Sequence, residues 1–161
     1  MALGALLRDY GARYRIFFEH LPAAIVIGGA GLAFTGDPLH LSVALLFGWL
    51  IDGDHLFDYL MFVRRSSSRF SIRAFVQGRY FKEGGRLILP LHSFEICVSL
   101  AVLGVVIDSQ SHQWLFTAAL AMAAHLVHDH LSHRPAPFGY FFVARYRNGF
   151  KTDWFCQSKT Q

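Results

Sequence analysis

The chain has 161 residues, 53% hydrophobic and 16% charged, with 15 Lys and Arg against 11 Asp and Glu and a mean hydropathy of +0.34. Average soluble domains carry roughly 25% charged side chains, so this composition points to one all-α, membrane-embedded domain. Hydrophobicity excludes disorder, two Cys exclude a disulfide scaffold, and the length excludes several domains.

Four apolar runs, at 16–34, 39–63, 87–107 and 114–131, approach the length of about 20 residues that crosses a bilayer as a helix. They predict a polytopic bundle of four transmembrane helices with short interfacial segments. Gly28, Gly29 and Gly31 in the first run allow close approach of a neighbour. A basic loop, 64–86, comes after the second run, and a tail, 132–161, after the fourth. Within the loop, Arg69 to Phe81 reads either as an interfacial amphipathic segment or as a solvated basic loop. Phe138 to Val143, after Pro135 and Pro137, is too short to span and is expected to return to the interface or fold over the site. Cys97 and Cys156 are not expected to pair.

Basic residues test the direction of the chain. All 15 fall before the first run, within 64–86 or in the tail, and none falls in the connections 35–38 and 108–113. The positive-inside rule then predicts a multi-pass protein of the inner (plasma) membrane with both termini cytoplasmic. The same placement argues against nucleic acid as the partner of the positive charge. Membrane lipid is the expected partner, and the oligomeric state is left open.

Ionisable side chains inside apolar helices cost about 2.5–3.5 kcal/mol each at a helix centre, so their accumulation demands a compensating interaction. Asp52, Asp54, His55 and Asp58 end the second run; His92, Ser93 and Glu95 begin the third; His125, His128, Asp129 and His133 end the fourth. Alternation of the runs brings all three clusters to one end of the bundle. Carboxylates and imidazoles converging from several helices suit a divalent metal. A set without thiolate favours zinc, with manganese or iron as alternatives. The competing reading of any one residue is a side chain facing water or capping a neighbour. Glu19 and His20 read as an ion pair or a further ligand or base, while His40 and His112 are expected to be solvated. Trp114 is expected at the outer interface. Ser93 and His92, adjacent on a helix, point about 100° apart, which disfavours a serine hydrolase.

The order and spacing of these clusters resemble the YdjM-like family of small inner-membrane proteins, described as metal-dependent hydrolases. Its Leu-Pro-Asp-x-Asp-His motif is similar to Asp52, Asp54 and His55, its His-Arg-Gly-x-Thr-His-Ser to His92 and Ser93, and its His-x-x-x-Asp to His125 and Asp129. Beyond the last motif the family tends to have Thr, then Pro and Gly, to which Ser132, Pro135 and Gly139 are similar. The likeness covers roughly residues 40 to 142, and it departs at Leu87-Ile88-Leu89, where the family has His-Arg-Gly.

The reading is a membrane-embedded metal-dependent hydrolase acting on a lipid-like or anionic amphiphilic phosphate or ester. Asp52, Asp54, His55, His92, His125 and Asp129 are the expected metal ligands, with Asp52 as ligand or outer-shell partner. Glu95 is the expected base, and His128 or His133 the expected leaving-group acid. The alternatives are a metal or proton carrier or sensor, and a structural protein stapled by a metal.

Overall fold

Helix α1 (Leu21–Thr35) starts at a proline, Pro22, whose fixed φ and missing amide donor suit a first turn. The computed structural model describes residues 19–107 and 111–156, and α1 is the first helix within them. The expected helix start at 16, the N-terminal Arg8, Arg13 and Arg15, residues 108–110 and Lys159 lie outside the described residues. Gly36, at φ 74°, turns the chain, and the Asp37 carboxylate accepts the Leu39 amide to start α2 (Leu39–Gly48). The second oxygen of Asp37 accepts the Trp114 indole N–H at 2.8 Å, which ties this turn to the start of the long helix that ends at His133. Trp114, expected at an outer membrane interface, here anchors a loop.

Small residues let α1 and α2 touch. A Cβ on Gly28 would stand 2.7 Å from the Leu41 Cα, and one on Gly31 would stand 2.7 Å from the His40 ring. His40 fills that contact and is buried, its Nδ1 2.7 Å from the Thr117 hydroxyl. The expectation that His40 is solvated is therefore corrected. One hydroxyl on the facing helix pairs with Nδ1 of this imidazole, and its Nε2 is buried without a partner.

The run 39–63 is not one helix. It divides into α2, a 3-10 turn (Leu50–Gly53) and α3 (Asp54–Ser66). Gly48 sits where a Cβ would lie 3.2 Å from Ala24 Cβ and 3.1 Å from Ala121 Cβ, and Trp49 leaves helical geometry immediately after it. The kink turns Asp52 and Asp54 inward, where both are buried.

Helix α4 (Ile72–Val76) and helix α5 (Arg79–Glu83) fold the basic loop over α3, with the Ser71 hydroxyl capping α4 and its amide and carbonyl both bonded to the Tyr59 hydroxyl. The predicted third helix starts late. Pro90 lacks a donor and disfavours helical geometry at the residue before it. Residues 87–93 accordingly form an irregular strap, with Leu89 at φ 44°. Helix α6 (Phe94–Val106) begins only after it, and α7 (Ser111–His133) returns alongside. The tail is folded: α8 (Phe142–Arg147) and α9 (Thr152–Phe155) close over the strap, the Leu87 amide donating to the Phe150 carbonyl at 2.8 Å. Buried Leu87, Leu89, Met122, Leu126 and Tyr140 join strap, α7 and tail in one core.

The all-α prediction holds for the described residues, but the transmembrane one does not. No helix among them is long and apolar enough to cross a membrane. Helices α1 and α6, of 15 and 13 residues, extend about 20 Å at 1.5 Å per residue, against a hydrocarbon core of about 30 Å. Helix α7 has 23 residues, but His112, Gln113, Thr117, His125, His128, Asp129 and His130 interrupt its apolar character. This overturns the four-span, multi-pass inner-membrane assignment and, with it, the placement of both termini on the cytoplasmic side. The surplus apolar residues lie instead on the outer faces of the helices, as at Val26 (70% exposed), Phe34 (91%) and Val105 (76%).

Candidate metal centre

The break after Gly48, the strap and the end of α7 deliver their polar side chains to one buried volume. Asp52 comes from the 3-10 turn, His55 from α3, His92 from the strap, and His125 and Asp129 from successive turns of α7. Nε2 of His92 and Nε2 of His125 face each other at 3.2 Å. Asp52 Oδ1 stands 3.4 Å from each of them. Asp129 Oδ2 stands 3.6 Å from His92 Nε2 and 3.5 Å from His125 Nε2. An ion holding four ligands tetrahedrally at about 2.0–2.1 Å separates them by about 3.3 Å. All five separations match that edge length.

The imidazoles are oriented from behind. The carbonyl of Gly48, which the helix break releases from regular helix bonding, lies 3.0 Å from His125 Nδ1. Asp54 Oδ1 lies 2.9 Å from His92 Nδ1, and its Oδ2 accepts the Leu91 and His92 amides at 2.9 and 3.3 Å. A proton on each Nδ1 leaves both Nε2 lone pairs directed at one another and at two carboxylates. Such an arrangement requires positive charge, either protons or a metal ion. These His and Asp groups can hold a metal ion: Asp52, His55 and His92 form one set of mutually close donor atoms, and His92, His125 and Asp129 another.

With protons in place of metal, the charges are strongly coupled. Burial opposes the Asp52 charge, but hydrogen bonding to His125 and His92 outweighs it and holds the carboxyl well below the usual range. Asp129 is likewise held far below its ordinary value, burial being outweighed by His125 and His20. Burial would lower His125, yet the Asp129 and Asp52 carboxylates raise it to about 10. His55 behaves oppositely: burial and then the charge of His92 lower it to about 4, so it is neutral at pH 7. Its Nδ1 lies 2.8 Å from the Tyr80 hydroxyl. The tautomer with Nδ1–H donating to Tyr80 presents the Nε2 lone pair toward Asp52, 3.8 Å away.

Of the residues expected at the site, Asp52, His55, His92, His125 and Asp129 are brought together, and His128 lies beside Asp129. Asp54 stands behind His92 and belongs to none of the donor sets. Glu95 points elsewhere. Its carboxylate accepts the Ser93 hydroxyl at 2.6 Å and the Phe142 and Val143 amides at 3.0 and 3.1 Å, which caps α8. Burial opposes its charge, but those three donors hold it below its ordinary value. His133, 56% exposed at its side chain, has Nε2 3.7 Å from Asp129 Oδ1 and marks the edge of the cluster.

Sequence reasoning gave three participants little or no weight. His20 packs its ring 3.7 Å from that of His125, nearly parallel. Tyr80 orients His55, and the fully buried Arg145 donates to the Leu89 and His92 carbonyls at 3.0 and 2.8 Å. The four-residue spacing of Asp54 and Asp58 is a usable signal for the strap, since Asp58 accepts the Ile88 and Leu89 amides at 3.0 and 2.7 Å. Nothing in the spacing of the tail marked Arg145. No family model, curated protein or solved structure matches the chain.

Proposed function

We propose that the protein is a metal-dependent hydrolase of the YdjM-like kind, acting on a phosphate or ester group of an amphiphilic molecule. The observation that carries this reading is the donor set itself: imidazoles and carboxylates without thiolate, from separate elements, at tetrahedral edge distances. Structural zinc sites are typically rich in Cys, whereas His and carboxylate sets belong to hydrolytic centres. Zinc suits this set best, with manganese or iron as alternatives.

A bound divalent ion supplies Lewis-acid chemistry, acidifying water toward neutrality and polarising the scissile group. The chain's own residues do the rest. Asp52 and Asp129 provide the negative charge that retains the ion, and the Gly48 carbonyl and Asp54 hold His125 and His92 in the ligating tautomer. Glu95, occupied at α8, is not available as the base. His133, exposed and within 3.7 Å of Asp129, is the group best placed to hand a proton to a departing alkoxide.

The test is hydrolysis of aryl phosphate and carboxylate esters by the full chain, loaded with zinc or manganese or stripped by chelator. Metal-dependent turnover that His92→Ala and Asp129→Ala abolish, together with metal retention, is expected. Full activity in verified metal-free protein would overturn the mechanism.

A further inference from the structure

The cluster extends beyond the first set of donors. Stacked against His125, just before α1, His20 has its Nε2 3.1 Å from Asp129 Oδ1. His128, one turn along α7 from His125, meets the His20 ring edge-on at 4.7 Å between centroids. His20, His128 and Asp129 each offer a donor atom within 4.8 Å of the others. That set shares no residue with the Asp52, His55 and His92 set, and His20, which also lies within 4.8 Å of Asp52 and His125 donor atoms, joins the two. Asp129 faces the two sides with different oxygens: Oδ2 toward His92 and His125, Oδ1 toward His20.

Unsatisfied nitrogens point to a second cation here. Nδ1 of His20, in a side chain only 5% exposed, and Nδ1 of His128 are both buried without a hydrogen-bond partner. Such unsatisfied buried nitrogens call for an explanation, and a bound ion is one. Moreover, the His20 ring stacks on His125 at 3.7 Å and 25°. The His20 ring therefore lies flat against a residue of the first set. Imidazoles beside a carboxylate oxygen that faces away from His92 and His125 are the components of a metal site.

We propose that the centre is dinuclear: His20, His128 and Asp129 hold a second divalent ion, and the Asp129 carboxylate bridges it to the ion held by Asp52, His55, His92 and His125. This rests on the reading of the cluster as a metal centre and assigns its nuclearity and two new ligands. A two-ion centre would suit phosphate esters, because paired ions can clamp both the attacking and the leaving oxygen of an in-line displacement at phosphorus.

The experiment is metal counting on the full chain, loaded with manganese(II), freed of excess ion by gel filtration and assayed by mass spectrometry, with electron paramagnetic resonance on the same samples. Two ions per chain are expected, with the multiline spectrum of an exchange-coupled pair. His20→Gln and His128→Ala should each retain one ion and give an uncoupled six-line spectrum. His128 is only half-buried, so its truncation tests the idea even where the His20 variant fails to fold by circular dichroism. One ion in the wild type, unchanged in the variants, would overturn the dinuclear assignment and leave the mononuclear reading standing. Two ions retained in both variants would overturn the ligand assignment, and loss of both ions in each variant would show that the first set does not stand alone. No ion in the wild type would end both readings together.

Discussion

Metal binding to this centre must displace protons, and the extent is calculable. His125 is raised from 6.5 to about 10 in the metal-free chain because Asp129 and Asp52 overcome the effect of burial. A raised pKa means that the proton is bound at pH 7, so an ion reaching Nε2 competes with it. The gap of about three units between that value and pH 7 costs about 4 kcal/mol, or roughly a thousandfold in apparent affinity, relative to binding at a pH above the imidazole's own value. His92 is also raised, its burial outweighed by Asp52 and Asp54, so it adds to the release where it is protonated. Apparent affinity should therefore strengthen as pH rises from 6 to 8, by about tenfold per unit for one displaced proton and about a hundredfold for two. Isothermal titration calorimetry of the chelator-stripped chain with zinc or manganese, in two buffers of different ionisation enthalpy, counts the released protons directly. Between one and two per first ion are expected at pH 7. A pH-independent affinity with no proton release would refute the reasoning, since it would mean that the imidazoles are already neutral and the carboxylates do not hold their charge.

Two substitutions separate residues that support the centre from those that compose it. Glu95→Gln should lower stability by about 0.5–2 kcal/mol through loss of the charged cap on α8, measured by urea unfolding, and should leave metal stoichiometry unchanged; loss of the ion would return Glu95 to the site. Arg145→Met removes both guanidinium hydrogen bonds to the strap, each worth about 1.5–3 kcal/mol when charged. It should destabilise the chain by about 3 kcal/mol and weaken metal binding about tenfold through the loosened His92, with Arg145→Lys recovering part of each loss; wild-type affinity in Arg145→Met would sink the positioning role.

The site was more legible than the surroundings that hold it. Asp52, His55, His92, His125 and Asp129 could be recognised because ionisable residues concentrated at the ends of apolar runs are costly wherever those runs pack. That cost does not depend on whether the solvent outside is lipid or water. The membrane reading failed because hydropathy along a chain does not register where helices stop. The run 39–63 is continuous in apolar character, yet Gly48 must lie flat between Ala24 and Ala121, and the helix ends there. The run 87–107 loses residues 87–93, about two turns, to Pro90 and to the strap amides' hydrogen bonds to Asp54 and Asp58. His40 was misplaced for a related reason. Its burial depends on Gly31 and Thr117, distant in sequence, which together make a polar slot between helices.

The strap explains how the chain departs from the motif it resembles and still assembles a centre. Where the YdjM-like pattern has His-Arg-Gly, this chain has Leu87-Ile88-Leu89, so a histidine and an arginine are missing from the local sequence. Leu87 and Leu89 are instead buried in the core, and Leu89 is held at φ 44°, a conformation that leucine adopts at a cost. What opposes that cost is a set of charged clamps on either side: Asp58 and Asp54 accept the strap's amides, and Arg145 takes its carbonyls. An arginine thus reaches the strap after all, from α8, more than fifty residues later in the chain. The folded tail is then part of the site's support, because the side chain that fixes the His92 backbone belongs to it. The same dependence accounts for Glu95, whose carboxylate secures the first turn of α8 and so holds Arg145 in place. His92, strap, Arg145 and the Glu95 cap form one chain of contacts, so a change at any of them reaches the cluster.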